Sequence, residues 1–407
     1  MTDPSTLIAR TSRLDRDVDL LEVAGGDGVL FSRRGVGFAG RGVAAKIPRV
    51  GAVGILAGIT SHDDVGLPGT GPTAFGALPF LPGTSAELVI PRLLVGMDDE
   101  GNRWITTVTP KADLPVDPRR ELERALVRSG FDPGPSHFDV RSTRLPVDWT
   151  DAVATATDRI RSGSLDKVVL AREIVVTADA PISIATVLVR LVQSYPDCFL
   201  YLVEGFCGAS PELLVSRDGD VVRAQPMAGT APRSGDPAAD ARAAADLLGS
   251  PTYRHEHQVT IDAVHDTLLK FSSYVDYEPE PSVVALANVA HLATAVEGRL
   301  SHPPASILEL VDALHPTPAV CGRPRAAALA LISELEGLDR DRYAGAVGWV
   351  DAAGNGQFAV SIRGAMITGN VARVIGGNGI VADSVPTTEL IETRAKLQAM
   401  LSAIVRP

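Results

Sequence analysis

Strand-like segments follow one another closely in this chain, in blocks rather than in alternation with helices, and no other feature of the sequence constrains the fold as strongly. GVLFSRRGVGFAGRGVAAKI reads as a hairpin, and AELVIPRLLVGMDDEGNRWITTV as another turning at Asp99-Glu100-Gly101-Asn102. FLYLVEGFCGASPELLVSRDGDVVRAQPMAG reads as three strands with a turn at Asp218-Gly219-Asp220. DKVVLAREIVVT is a strand whose period of two sets Lys167, Val169, Ala171 and Glu173 on one face and Val168, Leu170, Arg172 and Ile174 on the other. Helices are expected over 150–162, where Val153, Ala156 and Ile160 form a stripe and Gly163 stops the helix, and over 238–248, 251–271 and 387–404. No regular strand–helix–strand rhythm and no long repeat runs through the chain, which predicts an α+β fold with large antiparallel sheets and flanking helices. The polar stretch DPGPSHFDVRSTRLPVDW suggests a division near residue 145, into an N-terminal part (1–145) and a second part (146–407).

Composition narrows the function. A chain of 407 residues, 45% hydrophobic, can bury a large core. A net charge of −11 with no run of Lys or Arg argues against nucleic acid or an anionic membrane as partner, and admits a small anionic substrate only where the site is locally positive. Cys198, Cys207 and Cys321 are too few and too scattered for a disulfide framework or a thiolate zinc cluster. The opening MTDPSTLIARTSRLDRDVDLLEV has no long apolar core, and no later stretch reaches the ~20 apolar residues of a membrane span, so the expectation is a soluble, cytoplasmic protein.

The segment SPTYRHEHQ raises the question of a metal. Ser250 and Pro251 suit the cap and first position of a helix, which places His255-Glu256-His257 in its first turns. Two residues apart on a helix, the histidines point about 200° away from each other and cannot share a metal. His257 joins the apolar stripe of Ile261, Val264, Leu268 and Phe271. Glu256 is either a carboxylate favoured by the helix dipole or a ligand for a hard cation such as Mg2+, which would need a second carboxylate elsewhere. On the final helix Glu389, Glu392 and Lys396 share a face opposite Leu390, Leu397, Leu401 and Ile404; that face is either solvated or part of a site. The preceding IGGNGIVADS is rich enough in glycine for its backbone N–H groups to approach an anion. Lys167, at the head of an apolar strand, and Glu212, after Ser210-Pro211, are either ordinary strand ends or working groups. Arg363 stands in the apolar strand FAVSIRGAM and needs a fixed partner, a carboxylate from the protein or from a ligand.

Taken in order, these segments resemble the chorismate-utilising enzymes, above all the isochorismate synthases. The resemblance is carried by GALPFLPGTSAELVIPR, SGSLDKVVLARE, FCGASPELLVSRDGDVVRAQPMAGTAPR, YRHEHQ, HLATAVEG, LHPTPAVCGRPR, YAGAVGWVDAAGNGQFAVSIRGA and GGNGIVADSVPTTELIETRAKL, spanning nearly everything from about residue 150 onward. It implies a single chorismate-binding α+β domain, probed by a small-molecule substrate and needing Mg2+. By the same resemblance Glu256 and Glu392 hold the metal with Glu389 in the outer shell, Lys167 activates water for attack at ring C2, and Glu212 protonates the departing C4 hydroxyl. Gly229 and Thr230 would meet the ring carboxylate; Tyr343, Arg363, Gly377 and Lys396 would surround the enolpyruvyl carboxylate, and His291 would line the pocket. The family tendency is a monomer.

Relatives with other outcomes are set apart by single residues. The aminodeoxychorismate type has a lysine in a PIKGT segment where this chain has PMAGT with Ala228. Anthranilate synthases lack the base lysine and take ammonia from a glutaminase subunit, which is not expected here. Salicylate synthases share the lysine and the glutamates and go on to eliminate pyruvate; they commonly have a glutamate where Tyr253 stands in this chain. A non-catalytic paralogue would have lost Lys167 or Glu212, and both are present. Isochorismate feeds siderophore and menaquinone synthesis alike.

Overall fold

The computed structural model describes residues 3–113, 116–126 and 134–406. The first two residues of the polar stretch expected to mark the division, Asp132 and Pro133, lie outside the described residues. Among those described, twenty strands join one hydrogen-bonded network, and three more (Met227–Pro232, Ser282–Ala285 and Val289–Ala293) form a small separate sheet. Every pairing is antiparallel except that of Leu7–Arg13 with Thr60–Asp63.

The large network has two wings. One runs from Phe138–Ser142 through Lys167–Ala178, Val371–Ile380, Gly364–Thr368, Phe206–Ser210 and Phe199–Val203 to Val29–Arg33. The other runs from Thr73–Leu78 through Ala346–Asp351, Gly356–Val360, Leu213–Asp218 and Val221–Ala224 to Val296–Leu300. The long strands Val36–Pro48 and Glu87–Met97 connect them. Strands from either side of residue 145 therefore pair throughout, as Phe138–Ser142 does with Lys167–Ala178.

Period-two patterning explains the layers. In Phe199–Val203, residues Phe199, Tyr201 and Val203 enter an aromatic cluster with Phe31, Phe38, Phe75, Trp104 and Trp349, drawn from both wings. Leu200 and Leu202 point the other way, into a core shared with Leu188, Leu191, Met400 and Ile404 of two helices. Behind the second wing, Leu214, Val222 and Phe358 pack with Val264, Leu268, Ile307 and Val311 of two further helices. The result is two sheet faces packed on each other with helices outside, because central strands such as Phe199–Val203 and Ala346–Asp351 are buried on both faces.

Three details depart from the sequence reading. The stretch 199–232 contains five strands rather than three, since Glu204 and Gly205 turn a tight hairpin with φ of 51° and 81°. That turn needs the left-handed region at both residues, and a glutamate does not advertise it. A helix at Ile184–Ser194, capped by Ser183 and burying Val187, Leu188 and Leu191, had no counterpart in that reading. GGNG carries no secondary structure in that reading; Gly376 to Gly379 lie inside the strand Val371–Ile380, in register with Arg172 to Val169.

Candidate active site

All the expected site residues except Glu389 and Glu392 line one pocket. It lies where the head of the Lys167 strand, the end of the Gly-rich strand, the small sheet and the helix Pro251–Leu268 converge. The pocket is tight, about 80 Å3, and Lys167 and Glu256 bond across it, Nζ to Oε1 at 2.6 Å.

The glycines of GGNG make room for these side chains. A Cβ at Gly379 would stand 2.7 Å from Lys167 Cε, and one at Gly377 would stand 3.1 Å from the Tyr343 hydroxyl. Tyr343 is also held by the Gly377 N–H, and burial raises its pKa, so it is a neutral phenol.

Glu212 is 4% exposed, just after Pro211. Burial pushes its carboxyl up to about 8, against the pull of the Met227 N–H, Lys167 and Arg363. It is therefore a protonated acid at neutral pH. Burial likewise lowers His291 to about 3, helped by Arg363 and Lys396, so its ring is neutral. Its tautomer follows from its neighbours: Nδ1 faces the Gly229 carbonyl at 3.1 Å, which can only accept, and Nε2 faces Arg363 Nη2 at 3.4 Å, which can only donate. Nδ1 also lies 3.2 Å from the Thr230 hydroxyl. Gly229 sits at a register break between Ala228 and Thr230 with φ +75°, a conformation that suits glycine.

Arg363 is not within a strand. It occupies the connection between Gly356–Val360 and Gly364–Thr368 in the left-handed region, φ 56°. Its backbone is fixed, since its carbonyl accepts from Ala209 N–H at 3.1 Å. The side chain forms no ion pair among the described residues, and its Nε is buried with no hydrogen-bond partner. Burial lowers its pKa, yet a guanidinium remains a cation. Among the described residues no carboxylate pairs with it directly, and Glu392 acts on it only from further off.

The helix Pro251–Leu268 begins as expected, with the Ser250 hydroxyl accepting from the Tyr253 N–H and Pro251 in the first turn. His257 turns into the core, where Nε2 meets the Thr294 hydroxyl at 2.7 Å, and burial brings its pKa down to about 4. His255 is exposed. Burial opposes the charge of Glu256, but the neighbouring Lys167 outweighs it and holds the carboxyl below its ordinary value.

On the final helix, Pro386–Val405, the charged face is buried together with part of the expected apolar stripe, Leu397 and Ile404. Glu389 and Lys396 are 9% and 8% exposed, whereas Leu390 and Leu401, expected in the buried stripe, are only partly covered. Lys396 meets Glu392 at 3.2 Å, and both bond to Asn378, as does Glu389. Burial, followed by the nearby Glu392 charge, raises Glu389, while Ser384, Lys396 and Asn378 act against this. Asn378 was missed by the sequence reading; the available signal was a lone amide in the apolar run VIGGNGI.

Among the described residues no group of three or more His, Cys, Asp and Glu is close enough to hold a metal. The donor chemistry nevertheless suits a hard cation. Glu256, Glu389 and Glu392 all act electrostatically on the Tyr253 hydroxyl, so they share one neighbourhood, and Glu256 and Glu392 are each matched by a lysine ammonium.

Comparison with known proteins is consistent with this geometry. The family model described as "Chorismate binding enzyme" matches residues 52–405. MenF of Mycobacterium tuberculosis (strain H37Rv) is 39% identical over 351 residues, covering 83% of this chain and 87% of that protein. The isochorismate synthase DhbC of Bacillus subtilis is 36% identical over 344 residues, with 82% and 81% covered. The solved structure of MenF, the menaquinone-specific isochorismate synthase of Escherichia coli, shares the fold with a TM-score of 0.80 at 24% identity, over 97% of this chain and 94% of that one.

Proposed function

This chain belongs to the chorismate-binding enzymes, and from that premise we propose that it is an isochorismate synthase, adding water at ring C2 of chorismate while the C4 hydroxyl departs. One water enters and one leaves, and the ring double bonds shift, so the reaction is an isomerisation. The observation that carries this reading is Glu212, a buried acid held protonated at neutral pH in the same pocket as the amine of Lys167. A pocket that brings a protonated carboxyl, from the connection after Ser210, to the lysine at the head of another strand suits the exchange of a hydroxyl between two carbons once that lysine has given up its proton.

Each residue has a part. Lys167 Nζ, once parted from Glu256 and free of its proton, takes a proton from the attacking water. Glu212 gives its proton to the leaving hydroxyl oxygen, turning a poor leaving group into water. Arg363, with Nε unpartnered, receives the enolpyruvyl carboxylate together with Lys396, while Tyr343 and the Gly377 backbone border it. Gly229 and Thr230 face the ring carboxylate, and neutral His291 steadies both the Gly229 carbonyl and Arg363. Glu256 and Glu392 would hold Mg2+, with Glu389 behind them, and the ion would supply positive charge for the ring carboxylate in a protein whose net charge is −11. The strand pairings across residue 145 support treating the whole chain as one chorismate-binding unit.

The test is product analysis. Purified protein with chorismate and Mg2+ should give isochorismate in a reversible mixture with substrate, read by chromatography, with little salicylate or pyruvate. The two diene alcohols are of similar energy, whereas elimination to an aromatic ring is strongly downhill. Stoichiometric salicylate and pyruvate would instead establish a salicylate synthase.

A further inference from the structure

Asn378 is the only polar side chain between Val374 and Ile380 and is 5% exposed, yet its amide has every bond it can make. Nδ2 donates to Glu389 and, at 2.8 Å, to Glu392 Oε2. Oδ1 accepts from Lys396 Nζ and from the Gly379 N–H at 3.1 Å. Two N–H bonds and two lone pairs are thus all used. The orientation is forced, since a flipped amide would aim its carbonyl at two carboxylates and its NH2 at an ammonium.

The three charged partners all belong to the final helix, and Glu392 and Lys396 are one turn apart. They already pair at 3.2 Å, and Asn378, anchored on a strand, bonds to both, which fixes the pair in one orientation. Without that anchor the two long side chains regain rotamer freedom, which any ligand they receive must then remove at a cost. Glu389 and Glu392, like charges on adjacent turns, are also held together by the single donor that they share. We propose that Asn378 is a positioning residue that holds the cation-holding carboxylates and the substrate-receiving Lys396 in one fixed arrangement, so that loss of its amide weakens binding of metal and of chorismate together. The proposal rests on the reading that Glu392 serves Mg2+ and Lys396 serves the substrate carboxylate.

The test uses the full chain. Mg2+ binding to substrate-free protein is measured by calorimetry, and KM and kcat for chorismate are measured at saturating Mg2+. Asn378→Ala should raise the Mg2+ Kd and the KM each by about tenfold, as for a lost hydrogen bond to a charged group, while kcat changes much less. In a Lys396→Ala background the same substitution should raise KM no further, because its effect on substrate passes through Lys396. Should Asn378→Ala fail to fold, Asn378→Ser supplies the same measurements with a shorter polar side chain. Unchanged Mg2+ Kd, or a KM effect that adds in full to that of Lys396→Ala, would overturn the proposal while leaving the function intact. A parent protein that binds no Mg2+ would overturn the metal reading and this proposal with it.

Discussion

Two ion pairs stand along the same strand and differ in how completely they are bonded. Arg340 and Glu336 are sealed in, their side chains 3% and 2% exposed, and nearly every polar atom has a partner. Arg340 donates to Glu336, to the Val320 carbonyl at 3.0 Å and to the Val169 carbonyl at 2.7 Å, and lies over the Phe80 ring at 4.2 Å; Glu336 accepts from the Ala171 N–H at 2.7 Å. Lys167 and Glu256, at the head of that strand, are 10% and 25% exposed and are linked by one bond of 2.6 Å. The first pair replaces a missing neighbour strand and cannot be parted without leaving a buried charge alone. The second faces a pocket in which either partner can be taken over by a ligand. Saturated bonding marks the scaffold here, and exchangeable bonding marks the chemistry.

The comparison can be broken by substitution, and the largest effect is expected on turnover. Lys167→Ala should lower kcat by roughly 10²-fold to 10⁴-fold and cost less stability than Arg340→Ala, because Glu256 is a quarter exposed and keeps Lys396 nearby. Arg340→Ala should do the reverse and cost about 3 to 5 kcal/mol in urea denaturation, by stranding Glu336 in the core. An Arg340→Ala protein as stable as the parent would refute the distinction between the two pairs. Arg363→Ala should weaken chorismate binding by about 10-fold to 100-fold in calorimetry, the value of charge-assisted bonds to a carboxylate. At the small end, His255→Ala should leave stability within about 0.5 kcal/mol and metal dependence unchanged, since the side chain is exposed on a helix.

Glu212 sharpens the comparison through pH. Its carboxyl titrates near 8 when folded, against an ordinary value of 4.5, so between these values the native state holds a proton that the unfolded chain has lost. Its contribution to stability is therefore fully present below about pH 4.5 and is lost as pH rises towards 8. Glu212→Gln should flatten that part of the stability profile and lose turnover, while retaining chorismate binding.

The sequence disclosed the parts of this site that rest on local rules. Ser250-Pro251 announces a helix start, and the two-residue spacing of the histidines is by itself incompatible with a shared metal. Arg363 stood out because its charge interrupts an apolar run, although its left-handed backbone could not be read, since a non-glycine residue gives no sign of positive φ. The charged face of the final helix looks solvated on its own, and is buried because the helix packs on the strand Val371–Ile380, where Gly376 leaves room for the Leu397 side chain and Asn378 bonds to Glu389, Glu392 and Lys396. Glu336 and Arg340, four residues apart, resemble an ordinary surface pair in the sequence. What buries them, and what gives Asn378 its partners, is contact between segments far apart in the chain.

The central claim is that this pocket keeps one carboxyl protonated at neutral pH as the proton donor for the leaving hydroxyl. Carbon NMR of protein labelled at the glutamate carboxyl carbons, titrated from pH 5 to 10 and compared with Glu212→Gln, tests it directly. The prediction is one carboxyl resonance that titrates near 8 in the parent and is missing from the variant. A parent in which every glutamate is ionised by pH 6 would contradict it.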